Sequence, residues 1–210
     1  MATPARPKIW VTDLLAQVPK RMDAEYPAGL ERLERKRGIT DPLSDFEPVD
    51  THALPEFFFA SGGPSSAFLK RPPDAFVSGE PLVSKRFRDL LLQFDMGSTR
   101  FHPVELRRMN KKTPLEQAEY FILNVTERKQ GAVDRDASGI RLINTEKGIW
   151  RQSWDQPFGV FTIHAWAAEG VDPWGERRIA DTLFLSDRLA KAMKAERIRG
   201  PKLIPCTVAD

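Results

Sequence analysis

The chain has 210 residues, 41% of them hydrophobic and 29% charged, with 32 Lys and Arg against 29 Asp and Glu. That apolar content excludes a disordered chain, and a net charge of only +3 excludes a surface coated with cations, although the pI is 9.1. No apolar run approaches the roughly 20 residues that span a bilayer, and the single Cys206 excludes an intrachain disulfide and a thiolate zinc centre.

The N-terminal stretch Met1 to Lys8 is not followed by the apolar core of a signal peptide, so a cytoplasmic protein is expected. Ile9-Trp10-Val11 reads as a first strand, and residues 29–37 as a short exposed helix in which Arg32, Lys36 and Arg37 alternate with Glu31 and Glu34. Asp41 to Asp50 carries Asp41, Asp45, Glu47 and Asp50 with no basic residue, and Pro42 and Pro48 break it into a loop. Glu56 to Ala60 is a short buried strand or aromatic anchor. Residues 61–73 then read as a linker, which divides an N-terminal region (1–72) from a main domain (73–210).

The main domain opens on a strand end, Leu82-Val83. Ser84 is placed as an N-cap, and Phe87, Leu90, Leu91 and Phe94 follow at i, i+3, i+4 and i+7, one helical face. Gly97 stops the helix, and Phe101 to Leu106 returns as a strand; Pro103 within it has no N–H, which implies an edge or a bulge. Tyr120 to Val125, apolar at nearly every position, is expected to be central and covered on both faces. Arg141-Leu142-Ile143 and Val160 to Ile163 are further strands. The chain then repeats itself: Phe184 to Cys206 follows Leu82 to Val104 at a constant offset of 102, matching Ser186 to Ser84, Arg188 to Arg86 and Pro205 to Pro103. Leu189, Ala192 and Met193 take the place of the first helical stripe. The expected fold is α+β, a mixed sheet with two repeated strand–helix–strand units and an N-terminal extension.

Taken in order, Pro73-Asp74-Ala75-Phe76, Leu82-Val83-Ser84, Phe101-His102-Pro103-Val104, Tyr120 to Val125, Val133 to Ser138 and Leu183 to Asp187 resemble immunity protein family 11 of bacterial polymorphic toxin systems, the myxobacterial type. The resemblance covers roughly residues 73 to 210. It departs from the family pattern in a long aromatic stretch from Ile149 to Trp174. It implies a protein that neutralises a toxin made by the same cell, with no shared catalytic residues to carry over, so no cofactor is expected.

Reactive groups in the sequence agree with a binding role. His52, His102 and His164 have no partner at a metal-ligand spacing. Cys206 falls where its repeat partner Val104 is apolar and reads as a small core residue. Asp134 and Asp136 stand as a pair that either helps to hold a hard cation or turns the chain beside Gly139. The run Arg107 to Lys112 reads as a polar connection, with phosphate contact as the alternative. Trp166 is assigned to the core, while Trp150, Trp154 and Trp174 are divided between packing and partner contact.

The expected function is therefore binding and steric occlusion of a cognate protein toxin. Asp41, Asp45, Glu47 and Asp50 would meet a basic cleft, Trp150, Trp154 and Trp174 would supply anchors, and a homodimer is possible in principle. The alternative is an enzyme with an acidic site around Asp134 and Asp136 that acts on a nucleotide or a similar small molecule.

Overall fold

Tyr120 to Val125 organises the larger sheet, as its apolar character demands: every residue of this run is buried. The computed structural model describes residues 7–15, 22–30, 41–60, 68, 70–153, 157 and 160–209. In chain order the strands are β1 (Ile9–Thr12), β2 (Met22–Glu25), β3 (Phe57–Ala60), β4 (Ala75–Ser78), β5 (Glu80–Ser84), β6 (Arg100–Arg107), β7 (Pro114–Asn124) and β8 (Val133–Asp134). They continue with β9 (Ile140–Asn144), β10 (Ile149–Gln152), β11 (Thr162–His164), β12 (Pro173–Trp174), β13 (Leu183–Ser186), β14 (Leu203–Pro205) and β15 (Thr207–Ala209). The α-helices are α1 (Asp41–Asp45), α2 (Lys85–Leu91) and α3 (Asp187–Ala195). A six-stranded sheet runs β2-β3-β6-β7-β5-β4 and a four-stranded sheet runs β12-β13-β1-β14; β15-β11-β8 and the β9–β10 hairpin complete a mixed α+β fold.

Both longer helices begin the same way. The Ser84 hydroxyl accepts from the Phe87 amide at 3.2 Å, and the Ser186 hydroxyl accepts from the Leu189 amide at 3.2 Å. Each cap satisfies one of the amides that a helix start leaves unbonded, worth about 1 kcal/mol. The buried faces, Phe87, Leu90 and Leu91 on α2 and Leu189 and Met193 on α3, meet in one apolar core with Val83 and Leu185. An aspartate precedes each unit and serves it as a hub. The Ser84 amide donates to the Asp74 carbonyl at 2.7 Å, and the Ser186 amide to the Asp172 carbonyl at 2.9 Å. The Asp74 carboxylate accepts from the Ser84 hydroxyl at 3.3 Å and from Arg86 at 3.4 Å. Asp172 accepts from the Ser186 hydroxyl and takes Arg188 in two bonds of 2.6 and 2.7 Å. Each hub also receives an amide from the turn after the other helix: Arg199 donates to Asp74 and Asp95 to Asp172, both at 2.8 Å.

The strands around the two helices keep the same neighbours. Strands β4-β5-β7-β6 in one sheet correspond to β12-β13-β1-β14 in the other. The registers agree as well: Pro103 lies opposite Phe121 and Pro205 opposite Trp10, while His102 lies opposite Ile122 and Ile204 opposite Val11. β1 thus fills, from the start of the chain, the central place that β7 fills next to α2. The segment before residue 73 is built into both sheets, since β2 and β3 extend the larger one through parallel pairing of β3 with β6. Among the described residues β3 pairs with Glu105 to Arg107 of β6 and not with Pro103, which is exposed.

Several expectations need revision. The acidic stretch is not entirely loop: residues 41–45 form one helical turn, because Pro42 stands near its start, where a missing amide costs nothing. The strand expected at Arg141 to Ile143 forms, but as an exposed hairpin strand. Val160 and Phe161 lie just before β11, which begins at Thr162. The expected helix at 29–37 and most of the linker at 61–73 fall outside the described residues, and Phe68, within that linker, is buried in the apolar cluster with Phe58, Phe76 and Tyr120.

His102 supplies a test of the correspondence between the sheets. Its Nε2 is buried with no hydrogen-bond partner among the described residues, and burial, followed by the nearby Arg100 charge, holds its pKa below the usual histidine value. Ile204 stands at the same register position in the other sheet. His102→Ile is expected to raise the unfolding free energy by about 1 kcal/mol, because an unsatisfied buried polar atom is removed. The sign of the pH effect follows from the lowered pKa. The unfolded chain protonates first as pH falls through about 6.5, so the native protein loses stability there and the variant does not. Urea midpoints measured at pH 7.5 and pH 5.5 check both statements.

Candidate partner-binding surface

The acidic segment is fixed to the body at three points. Phe46, at the end of α1, has φ 55 and is 2% exposed. Its ring lies on Gly175 so closely that a Cβ built there would stand 1.9 Å from the ring tip. The fully buried Asn124, at the end of β7, holds the next stretch from both sides: its amide group donates to the Glu47 carbonyl at 2.8 Å and its side-chain oxygen accepts from the Val49 amide at 3.0 Å. Arg128 donates to the Asp45 carbonyl and to the Glu47 carboxylate, each at 3.2 Å. Asp50 then accepts from the His52 amide at 3.0 Å and caps a short turn. Asp50 is exposed and the Glu47 side chain is half exposed. The structure thus brings Asp45, Glu47 and Asp50 together on one anchored segment that continues from Asp41, with Arg128 offsetting part of their charge. A backbone already fixed loses little freedom on binding, which favours a stable contact.

The tryptophans separate differently from expectation. Trp174 is interior: it is 1% exposed, stacks on Phe184 at a centroid distance of 4.5 Å, and carries the Lys129 ammonium 5.0 Å above its ring. It therefore presents no face to a partner, although its neighbour Gly175 is the seat of Phe46. Trp150 is half buried against the cluster around Trp174, with the Arg135 guanidinium 5.7 Å over its ring. Trp154 lies outside the described residues. Trp166, assigned to the core from sequence, is 51% exposed. The 3-10 turn Ala165–Ala168 buries Ala167 instead, and Lys129 fixes that turn by donating to the Ala167 and Glu169 carbonyls.

The groups weighed for chemistry are occupied with local structure. Asp134 accepts from the Asp136 and Ala137 amides, both at 3.1 Å, and so turns the chain. Among the described residues no group of three or more His, Cys, Asp or Glu stands together as metal ligands would. Burial pushes the Cys206 thiol up to about 12, which leaves it protonated and unreactive at neutral pH. Arg107 pairs with Glu105 at 2.5 Å and lies 3.8 Å over Phe57, while Lys111 pairs with Glu25 at 2.7 Å and lies 4.3 Å over Phe59. A cleft of about 940 Å³ opens beside Asp74, lined by five basic and five acidic side chains, so it has no single sign of charge with which to select an ion. Sequence reading missed Asn124, Arg128 and Gly175, whose roles depend on what lies across from them. The polar Asn124 at the end of an apolar strand was the one visible signal.

What these residues define is a small α+β protein whose charged and aromatic side chains hold loops and strands in place. The chain belongs to the immunity protein family Imm11, whose model matches residues 32–208, most of its length. The match begins well before residue 73, consistent with an N-terminal segment that is part of both sheets. A search of curated proteins returns no match. Among the described residues no helix is long and apolar enough to cross a membrane.

Proposed function

We propose that this chain is a bacterial immunity protein that binds one cognate toxin domain in the cytoplasm and neutralises it by steric occlusion, without chemistry of its own. The observation that carries the reading is the family match over residues 32–208. Co-expression with the product of the adjacent reading frame tests it: rescue of growth together with co-purification is the expected result, and a partner that neither harms growth nor binds overturns it.

The acidic segment Asp41 to Asp50 steers the encounter. Carboxylates on an anchored backbone raise the association rate toward a basic cleft, and they do so most at low salt. Reversing Asp45, Glu47 and Asp50 to Lys is expected to slow association about tenfold at low ionic strength and to flatten its salt dependence. Stopped-flow association rates across a salt series give the answer, and unchanged rates would remove the segment from the interface. We further infer that the two capped strand–helix–strand units descend from one segment. The shared strand order, register and aspartate hubs support this.

A further inference from the structure

Arg128 and Lys129 are consecutive residues that brace two different elements. Arg128 donates to the Asp45 carbonyl, at the end of α1, at 3.2 Å. Lys129 donates to the Ala167 carbonyl at 2.6 Å and to the Glu169 carbonyl, in the turn that carries Trp166. Gly175, the seat of Phe46, bonds the same ribbon: its amide donates to the Glu127 carbonyl at 2.9 Å and its carbonyl accepts from the Lys129 amide at 3.0 Å. Two outstretched side chains, one Cα–Cα step and two hydrogen bonds thus hold the Asp45 and Ala167 carbonyls within about 25 Å of each other. A stable interface takes about 800 Å² from each partner, a patch roughly 30 Å across. The acidic segment and the Trp166 turn fit within one such patch, and the ribbon between them is at the surface, with Arg128, Gln130 and Gly131 exposed.

A single exposed apolar side chain needs no explanation by itself. Trp166 differs because its backbone is held from several sides while its side chain is left 51% exposed. The His164 amide donates to the Ala132 carbonyl at 2.9 Å, the Glu169 amide closes the turn onto the Trp166 carbonyl at 3.3 Å, and Ala167 is fully buried. The brace is costly: burial holds the Lys129 pKa below the usual lysine value, so a partly desolvated ammonium is kept to fix this turn. A tryptophan on a fixed turn buries a large area on docking with few torsions to freeze, and such residues carry much of the energy of protein interfaces.

The charge of this surface matches that of a basic partner. The three stretches 41–50, 127–131 and 165–169 contain six acids against two bases, Arg128 and Lys129, and both bases are engaged on carbonyls. Arg100 adds one cation opposite Asn124 in the register. Two copies of the chain joined face to face here would set acid against acid. We propose that the Trp166 ring enters an apolar pocket of the cognate toxin while the acidic segment beside it meets a basic surface of the same domain. This rests on the toxin-binding reading above.

The test uses the full chain and the product of the adjacent reading frame. Trp166→Ala is expected to weaken binding by about thirtyfold or more, through faster dissociation, with the association rate and the urea midpoint unchanged. Lys129→Met removes the brace and keeps the apolar stem; it is expected to weaken binding by a smaller factor, because the turn must then be ordered on docking. Acrylamide quenching, compared between the parent and Trp166→Phe, is expected to show the Trp166 emission accessible in the free chain and shielded in the complex. Parent-like binding by Trp166→Ala, or a Trp166 emission still quenched in the complex, would overturn the anchor and leave the toxin reading standing. Parent-like binding by Lys129→Met would overturn the role of the brace. Shielding that rises with the concentration of the chain alone would give this surface to a second copy and overturn the occupant. No binding by the unmodified chain would remove both readings.

Discussion

Asp172→Ala is expected to lower the unfolding free energy by about 3 kcal/mol, the scale set when a fully buried acceptor is lost and its donors stay behind. For a chain of this size that corresponds to a fall in Tm of about 6–12 °C. The carboxylate is 0% exposed and collects the Asp95 amide, the Ser186 hydroxyl and two bonds from Arg188. Its loss loosens the cap of α3 and the turn after α2 together. Asp74→Ala removes the corresponding hub and is expected to cost less, about 1–2 kcal/mol, because Asp74 keeps some exposure and its bonds to Ser84 and Arg86 are 3.3 and 3.4 Å. Urea denaturation of the two variants side by side measures the difference. Equal losses would mean that the shorter bonds at Asp172 bring no added stability.

Gly175→Ala is expected to cost about 2–3 kcal/mol and to release the acidic segment. A methyl group at Gly175 overlaps the Phe46 ring, with Cβ to ring-atom distances of 1.9 and 2.2 Å, and the crowded Phe46 must leave a site where it is 2% exposed. The polar bonds at Asn124 and Arg128 remain, so the segment stays attached while its first turn swings free. Phe46→Ala is the matched control, because it frees the same turn without overlap. If both variants bind the toxin more slowly than the parent while circular dichroism still reports the sheets, anchoring is what matters. A Gly175→Ala protein as stable as the parent would show that the ring relocates at no cost.

Local signals in the sequence were reliable. Ser84 and Ser186 were recognisable as caps because the bond each makes closes within three residues, and the stripe Phe87, Leu90 and Leu91 was visible because helical spacing is local. The constant offset of 102 joined Ser84 to Ser186, and each of these serines ends a strand that leads into a helix. It did not lead to the hubs, because Asp74 and Asp172 stand 98 positions apart: the loop between hub and serine differs in length between the units. Nor was the partner of Ile9-Trp10-Val11 readable, since no rule of spacing indicates pairing with residues near the other end of the chain.

The candidate surface was legible in part. The acidic composition of residues 41–50 was plain, but its anchors were not. The Phe46 ring is seated on Gly175, a residue 129 positions further along the chain that only the fold brings beside it. The tryptophans show the same limit. Trp174 and Trp166 are both flanked by small and polar residues, yet one is enclosed by Phe184 and Lys129 while the other sits on a turn whose alanine points inward. Burial of a large ring is decided by what packs over it, and one-dimensional context carries little of that information.

The place of β1 between β13 and β14 also sets a schedule for biosynthesis. Once made, β1 must wait for partners at Leu183–Ser186 and Leu203–Pro205. At translation speeds of roughly 5–20 residues per second, that delay is about 10 to 40 s. Throughout it the nascent chain carries an unpaired apolar ribbon, and the smaller sheet closes only once β14 has been made.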